Sequence, residues 1–143
     1  MFNSRAAFTG DTIRADEIFA YVERALEDYH FLPRLAQNPL AEYLDLRAFR
    51  RLRDLGPAAK GWALRRALDA AMDAIVGDDS KSRDGARIRL ERYLHWRYRD
   101  DVQVGEIAKR LNYSERHLQR LRDELIAQLA LTLLEIAPPK HVG

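Results

Sequence analysis

Hydrophobic residues recur at spacings of three and four along most of the chain, which is the period of an amphipathic α-helix. The first such run predicts a helix over residues 16–29. A second is expected over 39–52, because Asn38 followed by Pro39 forms an N-cap and first-turn pair. A third, over 57–76, holds so many alanines that we expect it to contact another helix closely, either within the chain or across a dimer.

The pattern changes in a polar, glycine-bounded segment at 77–85, which predicts a linker and a domain boundary. Beyond it, the apolar spacing predicts helices over 86–98, 104–111 and 115–136, the last one stopped by a Pro-Pro pair. The final helix carries two neighbouring apolar stripes, more than a small domain covers by itself. Either the N-terminal helices or a second subunit should therefore pack there.

These elements predict an all-α fold, in which an N-terminal helical bundle is followed by a three-helix helix-turn-helix domain with a long C-terminal helix. We place the N-terminal region, with a dimerisation or partner-binding role, at residues 1–81. The helix-turn-helix domain occupies 82–143. Residues 1–14 are expected to form an extended or loosely held arm.

Residues 104–123 place small and apolar side chains where a DNA-binding helix-turn-helix needs them. Ile107 and Leu111 lie four apart on one helical face, and Ala108 beside them allows a second helix to cross closely. Asn112 stands in the turn, where a glycine is often found. Asparagine tolerates the left-handed backbone conformation better than most residues, so the turn remains feasible.

The second helix of this unit has an inner and an outer face. Tyr113 is expected to fill the turn and Ser114 to cap the helix. Apolar residues on its inner face repeat at three and four: Leu118, Leu121 and Leu125. The opposite face carries side chains of the types that read guanine and adenine edges in a major groove: Arg116, Gln119 and Arg120.

Basic and polar residues around that face are candidates for contacts to DNA phosphates. They end the first helix, cap the second or lie on its flank: Lys109, Arg110, Ser114, His117 and Arg122. For His117 there is an alternative, because its ring can instead cover Tyr113. Acidic neighbours such as Glu106 and Glu115 reduce the positive electrostatic potential of this unit. A protein-binding role for the same unit is therefore an alternative.

The run LHWRYRDDVQVGEIAKRLNYSERHLQRLRDELIAQL resembles region 4 of bacterial sigma factors and the related LuxR-type output domains. The matching features are a basic-aromatic stretch at 93–98, an acidic turn at 100–101, the E-I-A-x-x-L pattern at 106–111 and S-x-R at 114–116. The resemblance implies a sequence-specific DNA-binding transcriptional regulator. The region 2 pattern that melts promoters is not visible, which favours an accessory regulator over a true sigma factor.

Two other functions fit the same residues. One is a protein-binding adaptor, whose sigma-like unit docks on RNA polymerase or another assembly and whose long final helix is the interface. The other is a DNA-binding subunit of a larger mobile-element or defence assembly. Our leading prediction is a regulator that binds double-stranded DNA as a homodimer.

Composition supports a packed, soluble chain. Its 143 residues are 47% hydrophobic and 32% charged, with both signs well mixed. The net charge of +2 is unevenly divided, since residues 82–143 hold 12 basic and 9 acidic side chains whereas 1–81 hold 12 and 13. The basic excess therefore lies with the predicted DNA-binding unit.

Four arginines cluster near the expected C-terminal end of the second helix: Arg47, Arg50, Arg51 and Arg53. Our preferred interpretation is that these cations complement the dipole of that helix. A patch for phosphate or for an acidic partner is the alternative.

The sequence shows no spacing of residues that is typical of a catalytic site or a metal site. There is no cysteine, and the histidines are scattered: His30, His95, His117 and His141. Asp78 and Asp79 are more typical of a solvated turn than of a metal site. We therefore predict no enzymatic activity, no cofactor and no metal. Neither a signal peptide nor a membrane-spanning segment is visible, which predicts a cytoplasmic protein without a membrane partner.

Overall fold

The computed structural model describes residues 14–79, 92–93 and 95–140, and it is all-α as expected. The six α-helices with defined bounds are α1 (Ala15–Glu27), α2 (Leu32–Gln37), α3 (Pro39–Tyr43), α4 (Ala59–Asp79), α5 (Val104–Leu111) and α6 (Glu115–Ile136). A 3-10 helix spans Arg47–Phe49 and a π-helical segment spans His95–Arg99. The described ranges contain an isolated β-bridge, between Leu44 and Pro139, and no named strand.

Helix α6 packs against both α1 and α4, and α4 also contacts α2 and α3. Leu125, Ile126 and Leu129 are completely buried, whereas Leu131 on the outer side is 67% exposed. The buried side chains on the two sides of the expected boundary at 81/82 belong to one hydrophobic core. The N-terminal helices therefore cover the two apolar stripes of the last helix.

The long helices α4 and α6 run antiparallel. At one end, Arg99, which precedes α5, pairs with Asp69 and Asp73 in the C-terminal half of α4. At the other end, the segment after α6 is hydrogen-bonded to the segment after α3, from the amide N of Asp45 to the Pro138 carbonyl oxygen at 2.7 Å. A helix of 22 residues is about 33 Å long, so these two ends are far apart.

The helix expected over 39–52 is wrong beyond Tyr43. The backbone is extended at Leu44, where the chain forms the bridge to Pro139. Leu44 and Leu46 are both buried, at the spacing of extended rather than helical chain. The Asp45 carboxylate also accepts from the backbone N of Arg47 at 3.2 Å, a local bond that competes with a helix.

This correction also changes the interpretation of the arginine cluster. Since α3 ends at Tyr43, the arginines lie beyond it and cannot complement the C-terminal dipole of a helix over 39–52. Arg47 instead pairs with Asp45, at 2.8 Å between Nη2 and Oδ2. The alternative interpretation, a patch for an acidic partner or phosphate, remains for the exposed Arg50, Arg51 and Arg53.

The other expected boundaries hold more closely. Helix α1 matches the run expected over 16–29, and α4 begins at Ala59 and continues to Asp79, so the expected linker at 77–85 starts as helix. The rest of the expected linker lies outside the described residues. Of the helix expected over 86–98, only helical residues 92–93 and the π-helical segment are described, and of the expected N-terminal arm only Arg14 is. Among the helices that are described, none is long and apolar enough to cross a lipid bilayer.

Helices α2 and α4 are in close contact at Gly61, which is buried. A Cβ atom at Gly61 would overlap the carbonyl oxygen of Leu32 and would lie 3.2 Å from the backbone N of Ala36. Backbone atoms cannot move aside as a flexible side chain can. The absence of a side chain at this position therefore sets how α2 lies on α4.

We predict that Gly61→Ala lowers the free energy of unfolding by about 1–3 kcal/mol, although alanine is the better helix former, because the two helices must separate. Gly105 in α5 is the matched control, since a Cβ there meets no atom within 4 Å. Gly105→Ala should be neutral or stabilise by up to about 1 kcal/mol. Urea denaturation of both variants measures the difference, and equal stabilities would contradict the close approach at Gly61.

Candidate nucleic-acid interface

Helices α5 and α6 are joined by a three-residue turn whose geometry follows from its sequence. Asn112 is left-handed, with φ 59° and ψ 44°, as expected for this residue type. The backbone N of Tyr113 donates to the carbonyl oxygen of Ala108 at 2.9 Å. Ser114 caps α6 as expected, its Oγ accepting from the backbone N of His117 at 3.1 Å. The turn is therefore held by hydrogen bonds at both helix ends.

Buried side chains hold α5 against α6. Ile107 and Leu118 are fully buried, and Ala108 is 5% exposed. The small side chain of Ala108 lets the two helices approach, as its position in the sequence predicts. We call the structure formed by residues 104–125 the α5–α6 hairpin.

The three expected base-reading side chains lie together on the outer face of α6. Arg116, Gln119 and Arg120 are all exposed, within two turns of the helix N-terminus. Gln119 donates from Nε2 to Asp123 Oδ1 at 3.2 Å. Among the residues that the structure describes, Arg116 and Arg120 form no ion pair. The face therefore offers two guanidinium groups and one amide to a ligand.

The expected phosphate contacts differ in how accessible they are. Lys109 is exposed at the end of α5. Arg110 lies over the Trp96 ring, 5.0 Å from its centroid, and pairs with Glu106 at 3.3 Å. The imidazole of His117 stacks on Tyr113, with ring centroids 4.2 Å apart and an interplanar angle of 20°. His117 thus covers Tyr113, which is the arrangement expected as the alternative to phosphate binding. His117 nevertheless remains exposed at the surface.

Arg122 points into the protein rather than outward. Its guanidinium pairs with Glu23 of α1 and, at 3.3 Å, with Asp123, and its side chain is only 18% exposed. It lies beside Tyr98, whose pKa is raised by burial and is lowered in part by the nearby Arg122 charge. Arg122 is therefore a link between α6 and α1, and we do not retain it as a phosphate contact.

Sequence analysis missed this link, but a signal for it exists. Arg122 lies four residues after Leu118 and four before Ile126, both of which are buried, so the helical period places it on the inner face. Its partner Glu23 is 99 residues away in the chain, and nothing in the sequence pairs the two.

A second set of polar contacts joins the segment before α5 to the N-terminal helices. Arg99 Nη2 lies 3.2 Å from Asp73 Oδ1 and 3.4 Å from Asp69 Oδ1. The hydroxyl of Tyr29, at the end of α1, donates to the same Asp69 oxygen. Burial is the main cause that raises the pKa of Tyr29, and the Asp69 carboxylate adds to it. The α5–α6 hairpin is thus anchored to α1 and α4 on both sides.

The charge of the α5–α6 hairpin is mixed. Residues 104–125 hold five basic and four acidic side chains, and two of the five, Arg110 and Arg122, form ion pairs within the protein. The potential over the outer face therefore comes from a few local groups rather than from a broad positive field. Within the described residues no group of three potential metal-binding side chains occurs.

Comparisons of the chain with protein-family models, with curated proteins and with solved structures find no match.

Two of the three arginines on α6, Arg122 and Arg120, should differ in their effect on stability. Arg122→Ala should lower the free energy of unfolding by about 1–3 kcal/mol, because it leaves the partly buried Glu23 carboxylate without its charged partner. Arg120→Ala, at an exposed position, should change stability by no more than about 0.5 kcal/mol. Thermal or urea unfolding of the two variants tests this assignment. If Arg122→Ala left the free energy of unfolding unchanged, Arg122 would again be a candidate for phosphate contact.

The Ser114 cap gives a second test. Ser114→Ala should destabilise the protein by about 1 kcal/mol, because the backbone N of His117 loses its acceptor at the start of α6. Ser114→Asp keeps an acceptor oxygen and serves as the control, with stability close to that of the native protein. Equal losses in both variants, measured by urea denaturation, would rule out capping as the role of the hydroxyl.

Proposed function

We propose that this protein is a sequence-specific DNA-binding transcriptional regulator, and that the α5–α6 hairpin is a helix-turn-helix similar to region 4 of bacterial sigma factors. The observation that carries the proposal is the cluster of Arg116, Gln119 and Arg120 on one exposed face, at the N-terminal end of the second helix. These residue types at this end of a helix are what major-groove recognition uses.

In the proposed mechanism, the first turns of α6 enter the major groove. The guanidinium groups of Arg116 and Arg120 donate to O6 and N7 of guanine, and the Gln119 amide pairs with adenine. Gln119 must first give up its bond to Asp123, which is an exposed bond of modest strength. Neither arginine has to break an ion pair with a described residue.

Phosphate contacts fix the register of such a complex. Lys109 and Arg110, at the end of α5, are exposed and can contact DNA phosphates. Arg110 would exchange its ion pair with Glu106 for such a contact. Ser114 and the neighbouring N-terminal amides of α6 add a site where the helix dipole favours a phosphate. His117 can contribute from the surface while it remains stacked on Tyr113. A regulator of this kind acts in the bacterial cytoplasm, and that location is part of the proposal.

The mixed charge of the hairpin favours one other function, a protein-binding adaptor. Glu115, Asp123 and Glu124 are exposed near the arginines and would repel phosphates while attracting a basic partner surface. RNA polymerase or another large assembly is the kind of partner such an adaptor serves. The apolar stripes of α6 are covered by α1 and α4, so a homodimer, which we also expected, would need another surface.

The experiment is fluorescence anisotropy of labelled duplexes over a salt series. The probes are a pool of random duplexes and the DNA upstream of the protein's own gene. Arg116→Ala and Arg120→Ala should each weaken binding to a preferred site by about 1–3 kcal/mol and relax the preference at one base pair. Arg53→Ala is the matched control, since Arg53 is exposed on the loop before α4 and should leave specific binding unchanged.

Three outcomes contradict parts of the proposal. Equal losses on preferred and random DNA would assign the arginines to phosphates. Equal losses in Arg53→Ala and Arg120→Ala would indicate attraction by net charge alone. Absence of binding at low salt by folded protein would exclude autonomous DNA reading and favour the adaptor.

A further inference from the structure

The loop between the 3-10 helix and α4, residues 50–57, exposes two large apolar side chains. Leu52 is 102% exposed and Leu55 is 81% exposed, the two highest values among the large hydrophobic residues that the structure describes. Single exposed leucines are ordinary on a protein surface. Two of them three residues apart, on a short loop, form a local apolar surface that no described part of the chain covers.

This loop is held in place by a partly buried ion pair. The Asp54 carboxylate, whose side chain is 7% exposed, accepts two bonds from Arg66 of α4, one of 3.0 Å between Nη2 and Oδ1. Arg66 also donates to the carbonyl oxygen of Phe49 at 3.0 Å, and the backbone N of Arg51 donates to Asp54 at 3.1 Å. The bonds to Arg66 lower the pKa of Asp54. The outward direction of the leucines is therefore set by an anchored backbone.

The same loop carries a local excess of positive charge. Arg50, Arg51 and Arg53 are exposed, and none of their side chains forms an ion pair with a described residue. The negative charge of Asp54 is already matched by Arg66. Apolar and cationic groups therefore lie side by side along the loop. The leucines are uncovered within the described residues, and the charge of Asp54 acts on Arg51 as well as on Arg66.

Beside the loop lies an open groove of about 500 Å³, between α2 and the start of α4. Its walls include the apolar side chains of Pro33, Ala36 and Pro57, and Arg50 and Arg51 stand at its edge. A volume of this size accommodates a few side chains of a bound segment. Loop residues on both sides of Leu52 and Leu55 in the sequence line this concave surface, but the two leucines themselves do not.

We propose that residues 50–57 and the adjoining groove bind a short acidic segment of a partner protein, with its apolar side chains against the leucines and in the groove. Carboxylates of that segment would pair with the three arginines, so charge complementarity selects an acidic partner. A concave groove suits a peptide better than the flat surface of a bilayer. Duplex DNA offers the arginines its phosphates but gives the leucines little apolar surface to bury against.

The position of this surface makes it independent of the proposed DNA contact. The loop lies at the N-terminal end of α4, which adjoins the C-terminal end of α6, whereas the reading face lies at the N-terminal end of α6. Because α6 is about 33 Å long, a partner on the loop would leave the reading face open. The inference does not rest on the proposed function.

The test is selection of a random library of short displayed peptides on the full-length protein, followed by anisotropy measurements with the enriched peptides. We expect enriched peptides that are net negative and contain large apolar residues. Leu52→Ser/Leu55→Ser and Arg50→Ser/Arg53→Ser should each weaken their binding at least about tenfold, since burial and charge pairing both contribute. Both pairs are exposed, so the variants should remain folded by circular dichroism.

Matched controls separate this surface from others. Leu131→Ser removes an exposed leucine from α6, and Arg120→Ala removes a cation from the reading face; neither should affect peptide binding. The proposal is overturned if no peptide is enriched, if the enriched peptides are not acidic, or if the leucine variant binds them normally. It is also overturned if the loop variants lose binding to vesicles of phosphatidylglycerol or to random duplex DNA while peptide binding is unchanged.

Discussion

The burial of α6 between α1 and α4 is the constraint on which the rest of the structure depends. One helix supplies both a large part of the hydrophobic core and the face proposed to read DNA. Its inner side chains are withdrawn from water along most of its length, and a single buried leucine of this kind typically contributes about 2–5 kcal/mol. The rotation of α6 about its own axis is fixed by this packing, so the direction of its outer side chains is fixed as well.

The ion pair between Arg122 and Glu23 and the contacts of Arg99 with Asp69 and Asp73 refine that packing. They join α6 and the segment before α5 to helices that come much earlier in the chain. Such ion pairs add only modest stability when they are partly exposed, but they favour one relative orientation of the helices that they join. The hairpin therefore has a defined orientation on the N-terminal helices.

Features decided by neighbours in sequence could be predicted. The helical period, the left-handed Asn112 and the Ser114 cap each depend on residues within one or two turns, and all agree with the structure. The helix expected over 39–52 was wrong because Leu44 pairs with Pro139, a contact that local propensity cannot anticipate. The helical period alone places Arg122 on the inner face, whereas its pairing with Glu23, 99 residues away, could not be predicted from local sequence. The anchored loop before α4 was missed for the same reason, since Arg66 lies in the next helix.

The division of α6 into an inner and an outer face has a consequence for how this protein can change during evolution. Inner positions such as Leu125 and Arg122 are tied to partners elsewhere in the chain, so most substitutions there would require a compensating second change. Outer positions such as Arg116 and Arg120 are exposed and form no ion pair with a described residue, so a substitution there requires no second change. Mutations can therefore accumulate on the outer face and change its ligand preference. The fold that positions this face is retained, because the inner face stays the same.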